Sequence, residues 1–126
     1  MLASRSLLRP VTRSQTSRLF SVINLSDLEA VDKFKAVNSK SLLYFTATWC
    51  PPCKQIKPIY EQMAKDHPTV AFGKVDVDDN ADAAVEYEIS AVPTFVALHS
   101  EEAVARFSGA DSNQLTAVVK ALEDKD

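Results

Sequence analysis

From Ser21 onward, apolar positions switch between two spacings, and the switches mark out the elements. Ser21 to Asn24 reads as a short strand. Ser26 followed three residues later by Glu29 is a capping-box pattern, and behind it Leu28, Val31, Phe34 and Val37 recur at helical spacing. Leu42 to Ala47 is apolar and β-rich, which suits a central strand. Ile56, Ile59, Tyr60 and Met63 return to helical spacing, with Pro58 inside the pattern predicting a kink. Thr69 to Val77 reads as a strand and Ala81 to Glu88 as a short helix. Pro93 to Leu98 and Ala103 to Phe107 read as two strands joined by the polar turn His99-Ser100-Glu101-Glu102. Asp111 and Gln114 open a last helix that buries Leu115, Val118, Val119 and Leu122. The order βαβαβαββα predicts an α/β fold, a mixed sheet covered by helices on both faces.

A chain of 126 residues that is 46% hydrophobic can bury one core in one domain. Its apolar runs are all shorter than the ~18 residues of a membrane-spanning helix, which predicts a soluble protein with no membrane partner. The charge is unevenly divided. Residues 1 to 20 carry Arg5, Arg9, Arg13 and Arg18, many serines and threonines, and no acid. From Ser21 onward ten basic residues face all 17 acidic ones, a formal −7 against −3 for the whole chain. An arginine-rich, serine-rich, acid-poor start is the mark of an organelle transit peptide. Arg18-Leu19-Phe20-Ser21 resembles a mitochondrial processing site, which divides the chain into a transit peptide over 1–20 and a domain over 21–126. The alternative is a basic tail that binds an acidic partner. A domain this acidic argues against nucleic acid.

Both cysteines lie in Trp49-Cys50-Pro51-Pro52-Cys53, between the expected central strand and the helical pattern after it. Two thiols three residues apart at such a junction can close into a small ring and reopen, which points to dithiol/disulfide exchange. Two cysteines make no disulfide framework, and a closed zinc site needs about four ligands. His67 and His99 are far from the pair and wrongly spaced for a zinc finger, so no metal is expected, and with Asp78-Asp79 they read as solvated loop residues. The attacking species is a thiolate, and a free thiol with a pKa near ~8.5 is mostly protonated at neutral pH. At the first turn of a helix Cys50 sits near unpaired N–H groups and the positive end of the helix dipole, which favours the anion. Cys53 falls on the same face. Cys50 is therefore the expected nucleophile and Cys53 the resolving thiol. Pro51 precedes another proline and is biased away from helical backbone, so the helix is expected to begin at Pro52. That leaves the N–H of Cys53 as the donor to Cys50.

Over residues 22 to 123 the chain resembles the thioredoxin family. The resemblance rests on Trp49-Cys50-Pro51-Pro52-Cys53-Lys54, Pro58, Lys74-Val75-Asp76-Val77-Asp78, Ala91-Val92-Pro93-Thr94 and Gly109. Tyr44-Phe45-Thr46-Ala47 is most similar to the o-type thioredoxins of plant mitochondria. The resemblance implies a thioredoxin fold, a central mixed five-stranded β-sheet flanked by four α-helices. It implies a protein-disulfide reductase with no bound cofactor, recharged from NADPH through thioredoxin reductase and acting on targets such as peroxiredoxins. It also implies a monomer in the mitochondrial matrix. Val92-Pro93 is similar to the family's cis-proline turn, which offers the target backbone a strand-like partner, and Trp49 with Gly109-Ala110 completes a shallow apolar platform.

Two departures from the family stand out. Most members have Gly-Pro between the cysteines, and the stiffer Pro51-Pro52 link is expected to shift the redox potential. This pair also resembles tryparedoxins and nucleoredoxins, but those are longer. Most members also have a buried aspartate six residues before the first cysteine, thought to assist the resolving thiol through a lysine on the next strand. Here that position is Tyr44, a poor base at neutral pH with an ordinary pKa near ~10, while Lys74 matches the lysine. Either Tyr44 fills the core and Lys74 faces solvent, or the two relay the proton of Cys53 with a water. The competing function is a binding module whose Cys50–Cys53 disulfide is structural.

Overall fold

The computed structural model describes residues 21–126, so the expected transit peptide and its cleavage after Phe20 lie outside the described residues. Five strands run β1 (Val22–Asn24), β2 (Lys40–Thr46), β3 (Ala71–Asp76), β4 (Thr94–His99) and β5 (Glu102–Ser108). They form one sheet in the order β1-β3-β2-β4-β5, so Leu42 to Thr46 lie on its central strand. β1, β3 and β2 are parallel, β4 is antiparallel to β2, and β5 is antiparallel to β4. Among the described residues there are four helices: α1 (Leu28–Val37), α2 (Pro51–Asp66), α3 (Ala81–Glu86) and α4 (Ser112–Glu123). The expected mixed sheet and helix count are therefore found. None of these helices is long and apolar enough to cross a membrane.

The unbroken apolar run on β2 follows from burial on both faces. Leu42 and Tyr44 point to one side and pack with Ile56, Tyr60 and Met63 of α2 and Leu115, Val119 and Leu122 of α4. Leu43 and Phe45 point to the other and pack with Val31 and Phe34 of α1 and Ala83 of α3. Tyr60 ties the first layer to the sheet, its hydroxyl lying 2.7 Å from the Gly73 carbonyl and 3.2 Å from that of Leu42. Burial pushes its phenol well above the ordinary value, so it remains a donor.

Several local expectations shift. The N-cap of α1 is Asp27, which accepts the Ala30 N–H at 2.7 Å, so Ser26 and Glu29 form no capping box. The helix starts one residue later than that pattern requires, and the aspartate beside it supplies the cap. Val37 ends α1 at 73% exposed, and Ile59 lies at the edge of the α2 stripe at 40%. α2 continues through Pro58 as one helix. The β4–β5 turn narrows to Ser100 and Glu101, both at positive φ as a tight two-residue hairpin demands. Asp111 caps α4 as expected, accepting the N–H groups of Asn113 and Gln114. His67 and His99 are not merely solvated: His67 Nδ1 lies 2.7 Å from Glu123 and His99 Nε2 lies 3.1 Å from the Asp126 carbonyl.

Gly73 on β3 is a packing requirement. A Cβ there would stand 2.7 Å from Leu25 Cδ1 and 3.0 Å from Phe34, between the sheet and α1. Gly73→Ala is expected to destabilise the fold by about 1–3 kcal/mol through this overpacking. Urea unfolding should show a lower midpoint with an unchanged slope, and an unchanged midpoint would show that the layer can yield.

Candidate active site

The elements meet at the carboxyl ends of β2 and β3. After Thr46 the chain turns through Ala47, Thr48 and Trp49 into α2, whose N-cap is Cys50. Both sulfurs are joined in a Cys50–Cys53 disulfide, and each cysteine is only 2% exposed. Helix α2 begins at Pro51, one residue earlier than expected. The reason lies in the cap: Cys50 Sγ accepts the N–H of Cys53 at 3.2 Å, a contact from cap to third helical position that makes Pro51 and Pro52 the first two. A proline fits there because those N–H groups have no acceptor inside the helix. The Cys53 donor is the one expected from the sequence.

The groups facing the disulfide come from three places. The Val92–Pro93 peptide is cis, and the Val92 carbonyl oxygen lies 3.6 Å from Cys50 Sγ. Val92 also packs against the small cluster of Ala47, Cys50 and Cys53. Gly109, at φ 107°, donates its N–H to the Pro93 carbonyl at 2.8 Å, which fixes Gly109 and the exposed Ala110 beside the proline. Trp49 is 64% exposed, and its indole N–H donates to Asp78 at 2.8 Å. The structure thus assembles Trp49, Val92, Pro93 and Gly109 around the cysteine pair, and Lys54 follows on the first turn of α2.

Tyr44 and Lys74 are register partners on β2 and β3 and line the same cleft. Tyr44 is 2% exposed and its hydroxyl donates to the backbone carbonyl of Cys53 at 3.0 Å. Its ring stacks on Phe95 at 5.1 Å and tilts against Tyr60 at 4.8 Å. Burial raises its phenol above the ordinary value. The cleft, about 280 Å³, is lined by Tyr44, Thr46, Cys53, Lys54, Lys74 and Asp76, among others. Cys53 reaches it and Cys50 does not. Among the described residues no three His, Cys, Asp or Glu side chains gather as a metal cage.

Three contributors escape the sequence reading. Asp78 anchors Trp49 and Asp76 lines the cleft, although Asp78 reads as a solvated loop residue. Parallel pairing of β2 with β3, which sets Thr46 opposite Asp76, was the signal available. Arg106 donates to the carbonyls of Tyr87 and Glu88, steadying the chain that leads to Val92-Pro93 from across the sheet. Nothing local in the sequence marks that contact.

The geometry has counterparts among known proteins. The thioredoxin family model matches residues 22–121. The chain is 46% identical over 92 residues to the mitochondrial thioredoxin of Mus musculus, covering 70% of this chain and 55% of that protein. It is 42% identical over 98 residues to the TPR repeat-containing thioredoxin TDX of Arabidopsis thaliana, covering 77% of this chain and 26% of that protein. Thus it spans only part of these longer relatives. Among solved structures, Fasciola hepatica thioredoxin is 37% identical with a TM-score of 0.77, covering 79% of this chain and 97% of its own. These likenesses and the Cys50–Cys53 disulfide support protein-disulfide reductase activity. With its fold, its cysteine pair and most of its length matched, the chain belongs to the thioredoxin family.

Proposed function

We propose that this protein reduces disulfides in target proteins, with Cys50 as the nucleophile and Cys53 as the resolving thiol. The observation that carries the reading is the Cys53 N–H directed at Cys50 Sγ at the start of α2. In the reduced protein this donor and the helix N-terminus favour the Cys50 thiolate. The thiolate attacks a target disulfide, forms a mixed disulfide and releases one target thiolate. Cys53 then attacks Cys50, the bond to the target breaks, and the second target sulfur leaves with the electron pair. The target gains two electrons and the protein is left as the Cys50–Cys53 disulfide. Trp49, Val92, Pro93, Gly109 and Ala110 form the docking platform, and the Val92 backbone is the strand-like partner for the target chain. The packing of Tyr44 between Phe95 and Tyr60 favours a supporting role for its ring, with its hydroxyl holding the Cys53 backbone. Pro51 and Pro52 stiffen the ring between the cysteines.

The reducing equivalents come from NADPH through thioredoxin reductase, and peroxiredoxins are among the expected targets. The protein works as a monomer in the mitochondrial matrix. The acid-free, arginine-bearing first 20 residues and the similarity to the mitochondrial thioredoxin of Mus musculus support that location.

With NADPH and thioredoxin reductase the protein is expected to reduce insulin, and Cys50→Ser to abolish the reaction. Cys53→Ser should accumulate covalent adducts through Cys50. If the wild type leaves insulin intact and the Cys53→Ser variant traps nothing, the disulfide is structural and the binding-module reading stands. Incubated with energised mitochondria, the full chain is expected to become protease-protected and to lose the segment ending near Phe20. A full-length, unprotected product would refute the matrix assignment.

A further inference from the structure

Resolution of the mixed disulfide requires the Cys53 proton to go somewhere, and the cleft behind Cys53 limits the choices. Lys54, Lys57 and Lys74 line it, and a protonated lysine ammonium is a donor with no lone pair to offer. Tyr44 is held as a neutral phenol by burial, and its hydroxyl already points its hydrogen at the Cys53 carbonyl. Thr46 and Thr48 carry only neutral hydroxyls. The remaining polar side chain lining the cleft is Asp76. Its Oδ1 accepts the Asp78 N–H at 2.9 Å, and its backbone carbonyl accepts the N–H groups of Asp79 and Asn80, so the carboxylate is anchored at the end of β3. Among the described residues Oδ2 has no hydrogen-bond or ion-pair partner. The cleft has room for water, whose share of liquid volume is about 30 Å³ per molecule.

We propose that Asp76 receives the Cys53 proton through water in this cleft during resolution of the mixed disulfide, an inference that rests on the dithiol reading above. The Cys53 S–H bond breaks, the proton passes by water to the Asp76 carboxylate, and the Cys53 thiolate forms the bond to Cys50 Sγ. The bond between Cys50 and the target breaks, the electron pair leaves on the target sulfur, and the proton returns from Asp76 to solvent or to that sulfur. The surrounding lysines offset the negative charge that the thiolate develops. In this chain the acid thus stands on β3 at the mouth of the cleft, while a tyrosine occupies the β2 position.

The test follows the full-length reduced protein reacting with 5,5′-dithiobis(2-nitrobenzoate) by stopped flow. Attack by Cys50 releases the first coloured thiolate, and attack by Cys53 on the resulting mixed disulfide releases the second. Asp76→Asn keeps an oxygen for the Asp78 N–H and so retains the turn. It is expected to slow the second phase about tenfold near pH 6.5, inside the ~100-fold ceiling set by the small thiolate fraction of an ordinary thiol about two units below its pKa. The deficit should vanish near pH ~9, where the thiol ionises unaided. Asp76→Glu, which keeps the acid, should restore the pH profile. A second phase in Asp76→Asn that matches the wild type at every pH, or is slowed by one constant factor throughout, overturns the role of Asp76. Absence of a second phase in the wild type overturns the dithiol reading itself.

Discussion

A helix that opens with two prolines has few backbone donors at its positive end, and here they are fully accounted for. The Cys50 N–H is taken by the Ala47 carbonyl at 3.3 Å, Pro51 and Pro52 have none, and the Cys53 N–H goes to Cys50 Sγ. The next N–H, of Lys54, enters the helix ladder on the Cys50 carbonyl at 3.3 Å. One sulfur therefore caps the helix through one donor, and the donor belongs to the other cysteine. This interaction fixes where α2 begins and brings the two sulfurs onto one face, and in the proposed exchange it is what favours negative charge on Cys50 when the disulfide opens. The rest of the fold serves to hold this junction. Tyr44 anchors the Cys53 carbonyl from below, while Val92 closes over Cys50 from the side.

Much of this was legible in the chain because its signals are local. The change from an apolar run at Leu42–Ala47 to helical spacing at Ile56, Tyr60 and Met63 placed the cysteines between a strand and a helix. The donor from Cys53 followed from counting prolines. The bias of Pro51 against helical backbone misled by one residue, because a preference at one position yields to the cap geometry on either side. The α1 cap moved from Ser26 to Asp27 for a similar reason: two capable side chains stood next to each other, and packing of Val31 and Phe34 selected the phase. Asp76, Asp78 and Arg106 were hidden because their partners are distant in the chain, on other elements, and only the parallel register of β2 and β3 or the pairing of β4 and β5 brings them together.

The placement of charge gives the site its character. On a domain with a formal excess of acid, the cleft beside Cys53 carries Lys54, Lys57 and Lys74, with Asp76 held among them. Positive groups near the pair favour thiolate over thiol, and under the proposed exchange the one carboxylate is the destination for a proton. The aromatic layer of Tyr44, Tyr60, Phe72 and Phe95 beneath contributes rigidity, with ring centroids 4.8 to 5.8 Å apart. Tyrosine at position 44 thus packs among the rings of this layer, and Asp76 stands outside it at the carboxyl end of β3.

If the cap on α2 governs the exchange, Cys50 is the more acidic of the two thiols. Alkylation of the reduced protein with iodoacetamide across a range of pH, with each cysteine followed by peptide mass spectrometry, measures this directly. Cys50 is expected to react first, with an apparent pKa below the ~8.5 of a free thiol, and Cys53 only at higher pH. If Cys53 reacts first, or if Cys50 titrates at or above the free-thiol value, the cap does not activate the nucleophile and the account fails.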